Sequence, residues 1–244
     1  MTVTYTRIPM KEPVDCAPQP ANLQATTILD IHHDEVQRIA ETLAHEVMPD
    51  RTRLQKAHAL LISLLRPVYS VDEWRPTSKT LRKRRGSCSQ RMACLEAVAR
   101  AMNIPTRVRA IYVKGSFWYP RFRFTRPFIP KRILLVWPQF FVEGTWLDFD
   151  ELYAPLEQLV VSATHGFAND SESLFEAVRE TPVDLLGKTC GMACAKPEHD
   201  LSRFVLEDKG FFDMRDEAFE RLGSFQRTLR GRLFEAFFGD RKSS

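Results

Sequence analysis

The chain has 244 residues, with 35 Lys and Arg against 31 Asp and Glu and a 44% hydrophobic share. That balance excludes a disordered or collagen-like chain, and no apolar run reaches the ~18 residues of a membrane span. The five cysteines, Cys16, Cys88, Cys94, Cys190 and Cys194, are an odd number, so a disulfide framework is not expected and a reduced, cytoplasmic setting is. Near the start Arg7, Lys11, Glu12 and Asp15 interrupt any apolar stretch, and no secretory signal is expected there.

Residues 1–28 contain Pro9, Pro13, Pro18 and Pro20 and read as an extended arm. Val36, Ile39, Leu43 and Val47 then recur at helical spacing, and Leu54, Leu61, Leu64, Leu65 and Val68 mark a second helix after Pro49-Asp50. Residues 70–86 read as loop with one helical turn at 80–83. Gly86-Ser87-Cys88 opens the next helix, which carries Met92, Leu95, Ala99 and Met102 and stops at Asn103-Ile104-Pro105. Ser87 suits the N-cap, which makes Cys88 the first helical residue.

The pattern then changes to period two. Strands are expected over 106–114, 121–126 and 132–142, with Glu143-Gly144 turning the chain into a strand over 145–149. Helices are expected again over 152–161 and 172–180. A final helix over 215–238 would carry Leu222, Phe225, Leu229, Leu233 and Phe237 on one stripe, with Phe234 and Phe238 on a second. Helices, then an antiparallel sheet, then helices predict an α+β fold. The expected organisation is an arm over 1–28, a core over 29–155 and a helical C-terminal extension over 156–244 packed on it.

Charge is segregated along this order. Residues 74–142 hold sixteen Lys and Arg and one acid, Glu96. One basic cluster comprises Arg75, Lys79, Arg82, Lys83, Arg84, Arg85 and Arg91; the other comprises Lys114, Arg121, Arg123, Arg126, Lys131 and Arg132. Folding either pairs these with acids from the flanks or leaves a basic face for an acidic partner or a phosphorylated ligand. Aromatics alternate with arginines from Phe117 to Phe124, which suits a strand with an apolar face better than nucleic-acid stacking, and nucleic acid is not the expected partner.

Cys94 fits a small buried hydrophobe. Cys88 differs, because a helix N-terminus and nearby Arg84, Arg85 and Arg91 favour a thiolate, the form that attacks acyl groups. The stretch LRKRRGSCSQRMACLEAVARAMNIPTRVRAIYV resembles the nucleophile segment of the transglutaminase-like superfamily. Gly86-Ser87-Cys88 matches its Gly-x-Cys, and Asn103-Ile104-Pro105-Thr106-Arg107 matches its Gly-Ile-Pro-Ala-Arg. A second segment, Leu135-Val136-Trp137-Pro138-Gln139-Phe140 followed by Gly144-Thr145-Trp146-Leu147-Asp148-Phe149-Asp150, keeps the spacing of the family's His-x-Trp-x-Glu-Val and Trp-x-x-x-Asp. The resemblance covers about residues 50–152 and implies a papain-like core, a cysteine-bearing helix packed on an antiparallel sheet. It also implies Cys88 as nucleophile and Asp150 as the orienting carboxylate.

In the same register Leu135 stands where the family has its catalytic histidine and Gln139 where it has glutamate. No histidine lies between His58 and His165, so sliding the register does not restore the triad. His165, on a small-residue stretch, is the one candidate substitute base. Cys190, Cys194 and His199 offer three metal ligands where a structural zinc site takes four, and neither a metal nor a cofactor is expected. The resemblance thus implies a cysteine acyl transferase or hydrolase on an amide or thioester with a degraded Cys-His-Asp triad. An acidic protein such as an acyl carrier, or a peptide, would suit the basic segment. The alternative is a catalytically inactive binding or scaffolding module.

Overall fold

The computed structural model describes residues 17–45, 47–121, 126–163, 165–170, 172–189 and 200–223, with Gly231 and Glu235. Helix α1, Asp34–Ala44, is capped by His33, whose Nδ1 accepts from the Glu35 backbone N–H at 3.2 Å. Val36, Ala40 and Leu43 form its buried stripe. Helix α2, Asp50–Leu64, buries Leu54, Ala57, His58 and Leu61. Two residues of β1, Arg66–Pro67, pair in parallel with β2, Arg85–Gly86, and bracket the short helix α3, Thr77–Lys83.

Helix α4, Cys88–Ala101, is the centre of the fold. Every residue from Gln90 to Arg100 is buried, which is why its sequence shows a weak helical period: a helix covered on all sides has no polar face. It lies against α1, α2, α3 and the sheet. That sheet has the order β5-β4-β3-β6 and is antiparallel throughout. Strands β3, Thr106–Lys114, and β4, Arg132–Val142, occupy the ranges read from the period-two pattern. Glu143 and Gly144, with φ of 56° and 83°, make the tight turn into β5, Thr145–Asp148, the positive-φ geometry that two-residue hairpins need. Register places Arg107, Arg109 and Ile111 opposite Gln139, Trp137 and Leu135, and paired residues share a sheet face.

Helices α5, Leu156–Ser162, and α6, Leu174–Ala177, are shorter than the expected 152–161 and 172–180. The C-terminal part is not wholly helical as expected. Its residues Val205–Phe212 form β6, which pairs with β3. Glu207, Asp208 and Lys209 hide this strand from a hydrophobicity reading, yet Asp208 is buried because Arg109 of β3 pairs with it at 2.8 Å. Helix α7, Arg215–Leu222, ends early relative to the expected 215–238 helix. Gly223, with φ of 80°, turns the chain out of the helix there. Phe225, Leu229, Leu233, Phe234, Phe237 and Phe238 lie outside the described residues, as do 122–125 of the expected strand 121–126, and Arg126–Phe128 forms a 3-10 turn. The fold is α+β, as the element order predicts.

The described part of the N-terminal arm is pinned to the core. Arg100 of α4 donates to the carbonyls of Ala21 at 3.1 Å and Gln24 at 2.7 Å, and Ile28 is buried.

Candidate active site

Cys88 stands where the sequence puts it, as the first residue of α4. A reciprocal cap holds this end: Ser87 Oγ accepts from the Gln90 N–H at 3.4 Å, and Gln90 Oε1 accepts from the Ser87 N–H at 2.9 Å. Gln90 Nε2 also donates to Ser70 Oγ and to the Asp72 carbonyl, both at 2.9 Å, which fixes the 70–73 loop beside the cysteine. A cleft of about 180 Å³ opens there. Its walls come from the 68–73 loop, the start of α4, Trp118 and Arg121, the entry to β4, the 169–174 segment and Phe219 of α7.

The thiol is half-buried and packs against the core. Burial pushes it up to about 11; Arg91 opposes this, Glu176 reinforces it, and the Phe175 backbone and Arg121 oppose it. Burial thus works against the expected stabilised thiolate, and desolvation of the charged form is the largest influence on this sulfur. Of the arginines expected beside it, Arg84 is exposed at the end of α3. Arg91, fully buried one turn along α4, pairs with Glu176 at 2.5 Å and lies 4.5 Å over the Phe175 ring.

Leu135 is buried on β4 and lines the same cleft as Cys88. Asp150 is not a wall residue of this cleft. It sits buried in the 3-10 turn Phe149–Glu151 after β5, with Oδ1 3.5 Å from Trp137 Nε1. Its Oδ2 is buried without a hydrogen-bond partner among the described residues. Burial and then Asp148 raise this carboxyl well above the ordinary range, against the pull of Lys188. The structure thus brings Cys88 and Leu135 to one cleft and connects Asp150 to the Leu135 strand through Trp137. Gln139, which the sequence resemblance sets against a family glutamate, accepts from Arg107 Nε at 2.6 Å and donates to Asp148 at 2.5 Å.

No imidazole lines the cleft among the described residues. His165 is exposed and outside its walls. His58 is buried, with Nε2 2.6 Å from the Phe175 carbonyl and Nδ1 2.8 Å from Tyr153 Oη. A carbonyl only accepts, so Nε2 carries the proton; burial lowers this imidazole to about 4. Glu73 is a wall residue that motif spacing does not reveal. It accepts from Ser89 Oγ at 2.5 Å, and burial pushes its carboxyl up. It lies in a loop with no periodic signal, and only the folding of that loop onto α4 brings it here.

Folding also divides the basic segment. Arg75, Arg91, Arg100, Arg107 and Arg109 are buried; Arg75 pairs with Asp72 of its own loop and with Glu235, Arg91 with Glu176 and Arg109 with Asp208. Lys79, Arg82, Lys83 and Arg84 on and after α3 are exposed. Among the described residues no cluster of three or more His, Cys, Asp and Glu could hold a metal. Cys190, Cys194 and His199 lie outside those residues. No helix of the described residues is long and apolar enough to cross a membrane.

A cysteine opening a buried helix beside an antiparallel sheet is the architecture of the cysteine acyl-transfer and hydrolase folds. Residues 37–151 match the family model of the transglutaminase-like superfamily. The match ends at the turn that holds Asp150, so β6 comes from beyond it. No curated protein and no solved structure matches the chain significantly.

Proposed function

We propose that the protein is a cysteine acyl-transfer enzyme acting on thioesters, with Cys88 as nucleophile. The observation that carries this reading is the cleft that opens on Cys88 at the start of α4 in a transglutaminase-like domain. The Cys88 sulfur attacks the thioester carbonyl, the carbon–sulfur bond to the donor thiol breaks, and a new thioester forms on Cys88. The proton that Cys88 gives up is taken up by the departing thiolate, so the exchange is balanced without a resident acid. A thiolate departs unaided, whereas an amide nitrogen needs a proton that Leu135 cannot supply. Asp150 is the carboxyl that would orient an imidazole at position 135; with leucine there it has no proton-transfer partner. The exposed bases Lys79, Arg82, Lys83 and Arg84, a few residues before Cys88, suit an acidic acyl carrier or an acidic peptide.

Incubation with acetyl-N-acetylcysteamine followed by intact-mass analysis tests the reading. One added acetyl group, mapped to Cys88 and absent from Cys88→Ala, is expected. A protein that stays unmodified while free cysteine is acylated under the same conditions would instead be a non-catalytic module.

A further inference from the structure

Resting on the reading of Cys88 as acyl acceptor, we propose that the cleft selects a small apolar acyl group, aromatic or branched, over acetyl and over charged acyl groups. Three consecutive residues at the entry to β4, Ile133, Leu134 and Leu135, all line the cleft. Successive strand residues point to opposite faces, so three in a row place the cleft at the edge of β4, where it borders the entry of the strand. Val68, Val71 and Phe219 close it from the loop and from α7. A side chain that would be imidazole in a hydrolytic triad is here an isobutyl group, which gives the space around the sulfur an apolar wall where a polar one is needed for proton transfer.

Size narrows the class further. Cavities of about 150 Å³ lined by Leu, Ile and Phe hold a benzene ring, and this cleft measures about 180 Å³. A benzoyl or a branched five-carbon acyl group is of the size that space holds, whereas most of a long fatty chain would lie outside it. Two charged side chains face the cleft. One is Arg121, which lines the cleft together with Cys88 and Tyr69. Glu73 is the other; a carboxylate on the acyl tail would have to lose its water against the apolar wall of Val68, Val71, Ile133, Leu134, Leu135 and Phe219.

The test uses the full chain with benzoyl, isovaleryl, acetyl and succinyl thioesters of N-acetylcysteamine. Acylation of Cys88 is followed by intact mass, with each rate divided by that donor's rate with free cysteine. Benzoyl and isovaleryl donors are expected to exceed acetyl by at least about tenfold, since each extra methylene in an apolar pocket is worth about that much, and succinyl to be slowest. Leu134→Trp, with Val71→Phe as a second variant if the first misfolds, should remove the benzoyl advantage. Equal corrected rates for all donors would overturn this proposal and leave Cys88 acyl transfer standing. Should no donor acylate Cys88, the acyl-transfer reading fails, and binding decides the rest. Cys88→Ala would be titrated with the benzamide and succinamide analogues of the donors by ligand-observed NMR. Saturable binding of the benzamide alone would keep the apolar site, and binding of neither would overturn it.

Discussion

Arg91 and Glu176 form an ion pair at 2.5 Å in which the guanidinium is wholly buried and the carboxylate is 24% exposed. The pair ties α4, one turn from Cys88, to α6. Glu176 also accepts from the Ser173 N–H at 3.1 Å, so one carboxylate caps α6 and neutralises the helix that carries the thiol. Burial pushes this carboxyl up, but Arg91 and Ser173 hold it below its ordinary value. Its charge is felt at the sulfur, which Arg91 pulls toward ionisation and Glu176 pushes away.

Glu176→Gln should therefore lower the Cys88 pKa from about 11 and destabilise the fold together. Leaving a buried guanidinium without its counter-charge costs about 3 kcal/mol. Thiolate absorbance against pH and urea denaturation read the two effects separately. An unchanged thiol titration in a folded variant would show that the carboxylate does not act on Cys88.

Alkylation by iodoacetamide should proceed faster at Cys88 than at Cys94, but through access and not through a stabilised thiolate. Cys94 has no exposed surface, whereas Cys88 opens on the cleft. For a thiol near 11 the Cys88 rate should climb about tenfold per pH unit from pH 7 to 10, as the thiolate fraction grows. Peptide mapping at four pH values checks this. A plateau near pH 8 would mean that helix terminus and arginines outweigh burial after all.

Leu135→His should raise transfer from activated esters by about 10²-fold or more, the usual worth of a positioned general base. The register drawn from the sequence resemblance implies an imidazole at this position, and Asp150 Oδ2 is buried without a described partner. The gain must vanish in the double variant with Cys88→Ala. Thermal melting accompanies the assay, since an imidazole replaces a buried leucine. A folded Leu135→His protein no faster than the parent would overturn the register drawn from Trp137 and Asp150.

Stability should fall as pH drops from about 6.5 toward 4, in part through His58. The unfolded chain takes up a proton at the ordinary histidine value of 6.5, while burial keeps the folded imidazole neutral to about 4. Within that window the unfolded state binds the extra proton, so acid favours unfolding, and above 6.5 this group contributes its full stabilisation. Over the whole window the difference is about 3 kcal/mol at 1.36 kcal/mol per pH unit. Denaturation at pH 7 and pH 5 should show a loss about 2 kcal/mol larger in the parent than in His58→Gln. Equal losses would remove His58 from the acid sensitivity.

Local pattern was enough wherever a residue's role depends on its near neighbours. Ser87 caps α4 and Cys88 begins it because a hydroxyl followed by a helical run satisfies the free N–H groups of a helix start. Strands β3 and β4 follow from alternation, and the Glu143-Gly144 turn from the positive φ a short hairpin requires. The spacing of Trp137, Trp146 and Asp150 marked the superfamily that the family match identifies over 37–151.

Tertiary structure alone decided the rest, in each case because a distant partner changed what a residue could tolerate. Glu207, Asp208 and Lys209 look unsuited to a strand of a buried sheet, but Arg109 from β3 compensates Asp208 and lets β6 close the sheet edge. Glu73 enters the cleft because Gln90 and Ser89 of α4, together with Glu235, fasten its loop there. Part of the basic segment's character disappears when arginines such as Arg91 and Arg109 are buried against acids from far along the chain. The ionisation of Cys88 shows the same division. Its sequence neighbours and helix terminus favour a thiolate, but solvent exclusion by β4, α6 and α7 is a property of the assembled fold, and in a half-buried apolar cleft the cost of desolvating the charge is the larger effect.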